Sequence, residues 1–103
     1  MSSNWIETVN LEEIKDKRLF RINDELEILL IRVKDSVFAV ENRCSHDEKP
    51  LSDGKIIEKT IECKYHGAKF DIETGKALKM PAVTPVNIFK TKIENGKVFV
   101  LID

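Results

Sequence analysis

Two short motifs, each with one cysteine and one histidine, place the strongest constraint on how this chain can fold. The first motif is Cys44-Ser45-His46, and the second, sixteen residues further on, is Cys63-Lys64-Tyr65-His66. They contain both cysteines and both histidines of the chain. Thiolates and imidazoles are common ligands of transition metals. We therefore expect a fold in which two loops meet around one centre.

The residue types alone leave three kinds of site open. A structural zinc ion would use all four side chains, but its usual halves are C-x2-4-C and H-x3-5-H. A disulfide between Cys44 and Cys63 would leave both histidines without a role, and disulfides are unusual in a reducing cytosol. An iron–sulfur centre would use two thiolates and two imidazoles, one of each from either motif.

Short strands separated by turns dominate the rest of the sequence. Asn95-Gly96, between two apolar segments, is a strong hairpin signal. Helical character is confined to residues 11–17. This pattern indicates an all-β sandwich or a partly open barrel, with a loop-rich subdomain at about 43–85. We predict strands over residues 18–23, 26–33, 36–41, 55–58, 60–63, 69–72, 86–93 and 97–102.

Length, composition and charge limit the classes of protein to which this chain can belong. The chain has 103 residues, of which 42% are apolar and 34% charged, so we expect a single domain over 1–103. The net charge of -1 provides no basic field for nucleic acid or anionic lipid. No apolar stretch approaches the roughly 18 residues that span a bilayer, and the N-terminus lacks an export-signal pattern. We expect a cytoplasmic protein that is monomeric by default.

The two motifs together resemble the paired C-x-H and C-x-x-H signature of the Rieske family. The similarity continues through residues 63–71, and Leu51 and Gly54 match an L-x-x-G element that follows the first loop in that family. Pro81 stands where a proline-bearing loop covers the cluster, although Met80 occupies a position where glycine is usual. The resemblance extends over about residues 37–100 and implies a Rieske-like antiparallel β-sandwich.

This resemblance implies one [2Fe-2S] cluster per chain, with Cys44 and Cys63 on one iron and His46 and His66 on the other. Mixed ligation has a direct electrostatic consequence. Four thiolates would leave the oxidised site doubly negative, whereas two thiolates and two neutral imidazoles leave it uncharged. Adding an electron is easier to the uncharged site, which raises the reduction potential above that of an all-cysteine cluster.

Within the family, the chain resembles the soluble ferredoxin component of ring-hydroxylating dioxygenase systems. That implies a one-electron carrier without substrate chemistry of its own, which takes electrons from an NAD(P)H-dependent reductase and passes them to a terminal oxygenase. The sequence contains no G-x-G-x-x-G, and both histidines are already assigned, so no 2-His-1-carboxylate iron site can be assembled.

Other functions remain open at this point. One is a small Rieske-like subunit of a larger oxidoreductase such as a nitrite reductase, although such subunits commonly lack the ligands. Another is a zinc-stabilised interaction domain. The Rieske subunit of a membrane quinol-oxidising complex would predict a membrane anchor and further cysteines, and the sequence has neither.

We predict a reduction potential in the lower part of the Rieske range of roughly -150 to +300 mV. High-potential members carry a hydroxyl donor two residues after the last histidine and a tyrosine two residues beyond that. This chain has Ala68 and Phe70 at those positions, so both hydroxyl groups are missing. Protein-film voltammetry measures the value, and a potential above about +100 mV would contradict the prediction.

Overall fold

Antiparallel strand pairs organise the computed structural model, which describes residues 4–43, 50–64, 67–79 and 84–102. Two 3-10 turns lie at Leu11–Glu13 and Leu51–Asp53. The strands of the described residues are β1 (Trp5–Asn10), β2 (Lys17–Arg21), β3 (Glu27–Val33), β4 (Ser36–Glu41), β5 (Lys55–Ile57), β6 (Thr60–Glu62), β7 (Lys69–Asp71), β8 (Ala77–Lys79), β9 (Ile88–Phe89), β10 (Thr91–Glu94) and β11 (Lys97–Leu101).

These strands form three sheets. The first sheet has the order β1-β11-β10, the second β2-β3-β4-β9 and the third β5-β6-β7-β8. Neighbouring strands are antiparallel in all three. The prediction of an all-β fold of antiparallel strands is confirmed.

The second sheet lies between two apolar cores because β3 is buried on both faces. Ile28 and Leu30 belong to the first core, which they share with Val98 and Val100 of the first sheet. Leu29 and Ile31, between them in sequence, belong to the second core. All four side chains of this run are at most 1% exposed. The second core consists of Leu29, Ile31, Val40, Leu51, Ile61, Cys63, Ala68, Phe70, Ile72 and Val86.

The predicted hairpin at Asn95-Gly96 is confirmed. Glu94 pairs with Lys97 across a two-residue turn. Both turn residues have positive φ, +53° at Asn95 and +78° at Gly96. That conformation matches the twist of the flanking strands and is one that asparagine and glycine adopt at low cost.

Two predictions of local structure are wrong. The helix predicted over 11–17 is only the 3-10 turn Leu11–Glu13, because hydrogen bonds to distant residues hold this segment. The Leu11 amide donates to the Gly96 carbonyl at 2.8 Å, and the Arg32 amide donates to the Asp16 carbonyl at 2.9 Å. The strand predicted over 86–93 is divided at Lys90, since β9 pairs with β4 in the second sheet and β10 with β11 in the first.

Two strands were not predicted. Both β1 and β8 lie at sheet edges, and their residues are mostly half-buried or exposed, so the alternation of apolar and polar residues is weak. Among the described residues, no helix has the length and apolar character needed to cross a membrane.

We predict that Leu29→Ala and Leu30→Ala each lower the free energy of unfolding by about 2–5 kcal/mol, because each removes a fully buried side chain. Leu19→Ala, at a position paired with Leu29 on the edge strand β2 but 41% exposed, should cost well under half as much. Urea denaturation measures all three. If Leu29→Ala or Leu30→Ala behaved like Leu19→Ala, one face of β3 would have to be open to solvent.

Candidate metal centre

The second motif begins where β6 ends, and a tight turn holds its cysteine. The Cys63 amide donates to the Ala68 carbonyl at 2.7 Å, and the Gly67 amide donates to the Cys63 carbonyl at 2.9 Å. Gly67 has φ +72°, a left-handed conformation that glycine adopts without a steric penalty. These contacts join β6 to β7 and fix the backbone of Cys63.

The side chain of Cys63 is 1% exposed and lies in the second core. Its companions there include Leu51, Ala68 and Phe70, all fully buried. An ionised thiolate in such apolar surroundings is costly unless a positive charge compensates it. A metal ion supplies that charge and prefers the deprotonated thiol. The environment of Cys63 therefore fits an iron–sulfur group.

The first motif is bracketed by residues that are also anchored in the fold. Its N-terminal flank, Asn42 and Arg43, follows β4 directly. Its C-terminal flank is the 3-10 turn Leu51–Asp53, and Leu51 packs in the same core as Cys63. The chain that contains the first motif thus returns to the neighbourhood of the second.

Gly54 brings the chain after the first motif close to the chain before the second. A Cβ atom at this position would collide with the carbonyl oxygen of Glu62, the residue immediately before Cys63. Only glycine allows the backbone after the first motif to approach the backbone before the second so closely. This contact gives a physical reason for the glycine of the L-x-x-G element.

Of the four predicted ligands, Cys63 lies within the described residues, and Cys44, His46 and His66 lie outside them. Met80 and Pro81 of the predicted covering loop also lie outside. Within the described ranges, no three side chains of histidine, cysteine, aspartate or glutamate gather around a common point. The structure therefore brings together the flanks of the two motifs, and the ligand set stays a prediction.

A surface groove of about 570 Å³ has Val37, Ile72, Ile88 and Leu101 among its lining residues. Of the motif residues that the structure describes, neither Cys63 nor Lys64 lines it.

Two residues beside the first motif were not singled out from the sequence. Asn42 and Lys17 hydrogen-bond to the turn that follows the motif, with partners ten and more residues away. No local pattern in the sequence marks contacts of that range.

Known proteins resemble this chain along most of its length. The family model of the Rieske [2Fe-2S] domain matches residues 4–90. The ferredoxin component of the naphthalene 1,2-dioxygenase system of Pseudomonas putida is 35% identical over 101 residues, which cover 97% of each chain. The 3-phenylpropionate/cinnamic acid dioxygenase ferredoxin subunit of Shigella flexneri is 32% identical over 98 residues, 94% of this chain and 92% of that protein.

A solved structure agrees with these matches. The ferredoxin of carbazole 1,9a-dioxygenase from Nocardioides aromaticivorans IC177 superimposes with a TM-score of 0.90 at 30% identity, covering 98% of this chain and 100% of that one. This superposition confirms the predicted Rieske-like fold. The fold agrees with the family match, with the paired motifs and with the buried cysteine at the end of β6. The chain belongs to the Rieske [2Fe-2S] domain family.

Proposed function

We propose that this chain is an electron carrier whose single [2Fe-2S] cluster is bound by Cys44 and Cys63 on one iron and by His46 and His66 on the other. The family match over residues 4–90 is the observation that carries the proposal. The buried Cys63 and the close approach of the two flanks at Gly54 support it. When bound, the cluster supplies a centre that accepts and releases one electron.

The protein's own residues divide the site into two differently charged sides. On the cysteine side, Cys63 is buried in the core that contains Leu51, Ala68 and Phe70, and this burial excludes water from its sulfur. On the histidine side, the two imidazoles bind as neutral ligands, and each keeps a second ring nitrogen whose proton can be lost. We expect the added electron to reside on the histidine side, because the thiolates already place negative charge on the cysteine side.

The partner proteins are proposed from the names of the relatives. The 35% identical protein is the ferredoxin component of a naphthalene 1,2-dioxygenase system. A chain of a solved complex of reduced oxygenase and oxidized ferredoxin in carbazole 1,9a-dioxygenase superimposes with a TM-score of 0.85 at 27% identity. By analogy, this chain receives electrons from an NAD(P)H-dependent reductase and delivers them to a terminal oxygenase. It performs no substrate chemistry of its own and acts as a cytoplasmic monomer.

The direct test is spectroscopic, on protein purified anaerobically. We expect a red-brown protein with iron and acid-labile sulfide in equal amounts, and an electron paramagnetic resonance signal after reduction whose average g lies below that of the free electron. Cys63→Ser should abolish both the colour and the signal. A colourless, silent protein that contains zinc would instead establish the zinc-stabilised domain.

The same preparation tests the histidine ligands. Because the non-ligating nitrogens lose their protons more readily when the cluster is oxidised, the reduction potential should fall at alkaline pH. A potential that stays flat from neutral to strongly alkaline solution would exclude His46 and His66 as ligands.

Co-purification of a reductase and an oxygenase, or of the large subunit of another oxidoreductase, would decide between the proposed partners and the subunit alternative.

We predict that Ala68→Ser raises the reduction potential by about 20 to 60 mV. Ala68 is fully buried beside Cys63, so a hydroxyl group there lacks water and is left to donate toward the cluster sulfur. A hydrogen bond of about 0.5–1.5 kcal/mol that is stronger in the reduced state gives a shift of this size.

Ala77→Ser provides the matched control for that measurement. Ala77 is half-buried on β8 and packs against the edge of the second core, so its hydroxyl group should leave the potential unchanged. An Ala68→Ser variant with an intact cluster and no upward shift would remove the missing hydroxyl as an explanation for a low potential.

A further inference from the structure

The segment that contains Cys44 and His46 is closed at its base by one side chain. Asn42 lies just before the segment, and its Oδ1 atom accepts a hydrogen bond from the Ser52 amide, ten residues along the chain, at 2.8 Å. The residues on either side of the first motif are thus joined directly. The closure is local to the motif and does not belong to any strand pair.

Asn42 is itself held by Glu27, the first residue of β3. Its Nδ2 atom donates to the Glu27 Oε1 atom at 3.0 Å, and its backbone amide donates to the Glu27 carbonyl at 2.9 Å. A carboxylate only accepts and a backbone N–H only donates, so an amide side chain is the group that satisfies both partners at once. The asparagine side chain at this position therefore matches both partners, donating to the Glu27 carboxylate and accepting from the Ser52 amide.

Lys17 holds the far side of the closure. Its Nζ atom donates to the Ser52 carbonyl at 2.8 Å and to the Gly54 carbonyl at 2.6 Å. Ser52 is consequently fixed by its amide to Asn42 and by its carbonyl to Lys17. Hydrogen bonds from a charged donor are about twice as strong as those between neutral groups.

The same turn lies against the second motif. Gly54 approaches the Glu62 carbonyl so closely that no Cβ atom fits between them, and Glu62 precedes Cys63. A displacement of the turn would therefore be transmitted to the backbone of Cys63. The turn at residues 51–54 connects the base of one ligand loop to the other.

We propose that Asn42 is a positioning residue for the cluster: it closes the loop that carries Cys44 and His46, and Glu27 and Lys17 keep that closure in place. The inference rests on the proposed ligand set. Metal ligands act well only when the groups behind them hold their geometry, and removing such support typically lowers metal affinity by about 10- to 100-fold.

The first test compares Asn42→Ala with Asn23→Ala. Asn23 is a matched control because its Oδ1 atom accepts from the Glu25 and Leu26 amides at 2.8 and 2.9 Å, in the turn between β2 and β3. Each variant is purified with its cluster and transferred to an iron chelator, and the visible absorbance is followed. We expect Asn42→Ala to lose its cluster about tenfold faster than the unsubstituted protein, and Asn23→Ala to lose it at the unsubstituted rate.

The second test exchanges the two members of the Asn42–Glu27 pair. Asn42→Asp places a carboxylate against that of Glu27 and should accelerate cluster release, whereas Glu27→Gln keeps an acceptor for the Asn42 amide and should change little. The double variant Asn42→Asp/Glu27→Gln has the same net charge as the original pair and restores the hydrogen bond with its direction reversed. We expect it to bring the release rate back to within about threefold of the original.

Lys17→Met tests the other anchor of the closure, and it replaces Asn42→Ala as the test variant if Asn42→Ala does not fold. It removes the ammonium group but keeps the aliphatic stem, and we expect release to be about tenfold faster. Broadening of the reduced paramagnetic signal in the same variants would report a less uniform ligand geometry, which a purely global loss of stability does not produce.

Separate outcomes overturn the inference and the proposed function. Folded Asn42→Ala and Lys17→Met proteins that release iron at the original rate would overturn the positioning role while leaving the electron carrier intact. A double variant that releases iron as fast as Asn42→Asp would do the same. If the unsubstituted protein contains no iron and sulfide, the proposed function fails first, and the positioning role fails with it.

Discussion

The two-sided burial of β3 is the packing constraint on which the rest of the structure depends. Leu29 and Ile31 face the core that contains Cys63, and Ile28 and Leu30 face the core shared with the first sheet. A strand buried on both faces cannot shift its register by one residue without exchanging the contents of the two cores. The second sheet therefore holds the first and third sheets in a defined relation.

That arrangement of the sheets fixes the position of the candidate metal centre. The first motif follows β4, which pairs with β3 along its whole length, and the second follows β6 of the third sheet, whose buried side chains pack against β3. Each motif thus follows backbone that the cores hold in place. Loops on a rigid framework are a common way to build a binding site, and here the framework and the site share the residue Cys63.

Charge and apolar packing have separate tasks around the site. Apolar side chains of the second core bury Cys63. The polar residues Asn42, Glu27 and Lys17 hold the base of the first motif by five hydrogen bonds, four that involve side chains and one between the Asn42 amide and the Glu27 carbonyl. The flanks of the first motif thus combine directional contacts with the burial of Leu51 in the second core.

Local chemistry was readable from the sequence wherever neighbouring residues decide the outcome. The cysteine–histidine motifs, the hairpin at Asn95-Gly96 and the short apolar strands β4 and β11 depend on side-chain identity and short spacing. Tertiary structure decided what depends on distant partners. The segment 11–17 forms only a 3-10 turn because its hydrogen bonds to Gly96 and Arg32 outweigh a weak helical preference. The side chain of Asn42 bonds to Glu27 and Ser52, which lie fifteen and ten residues away in sequence. Hydrogen bonds between residues far apart in sequence leave no periodic pattern. The sequence therefore indicates the candidate metal ligands, whereas the contacts around them became visible only in the tertiary structure.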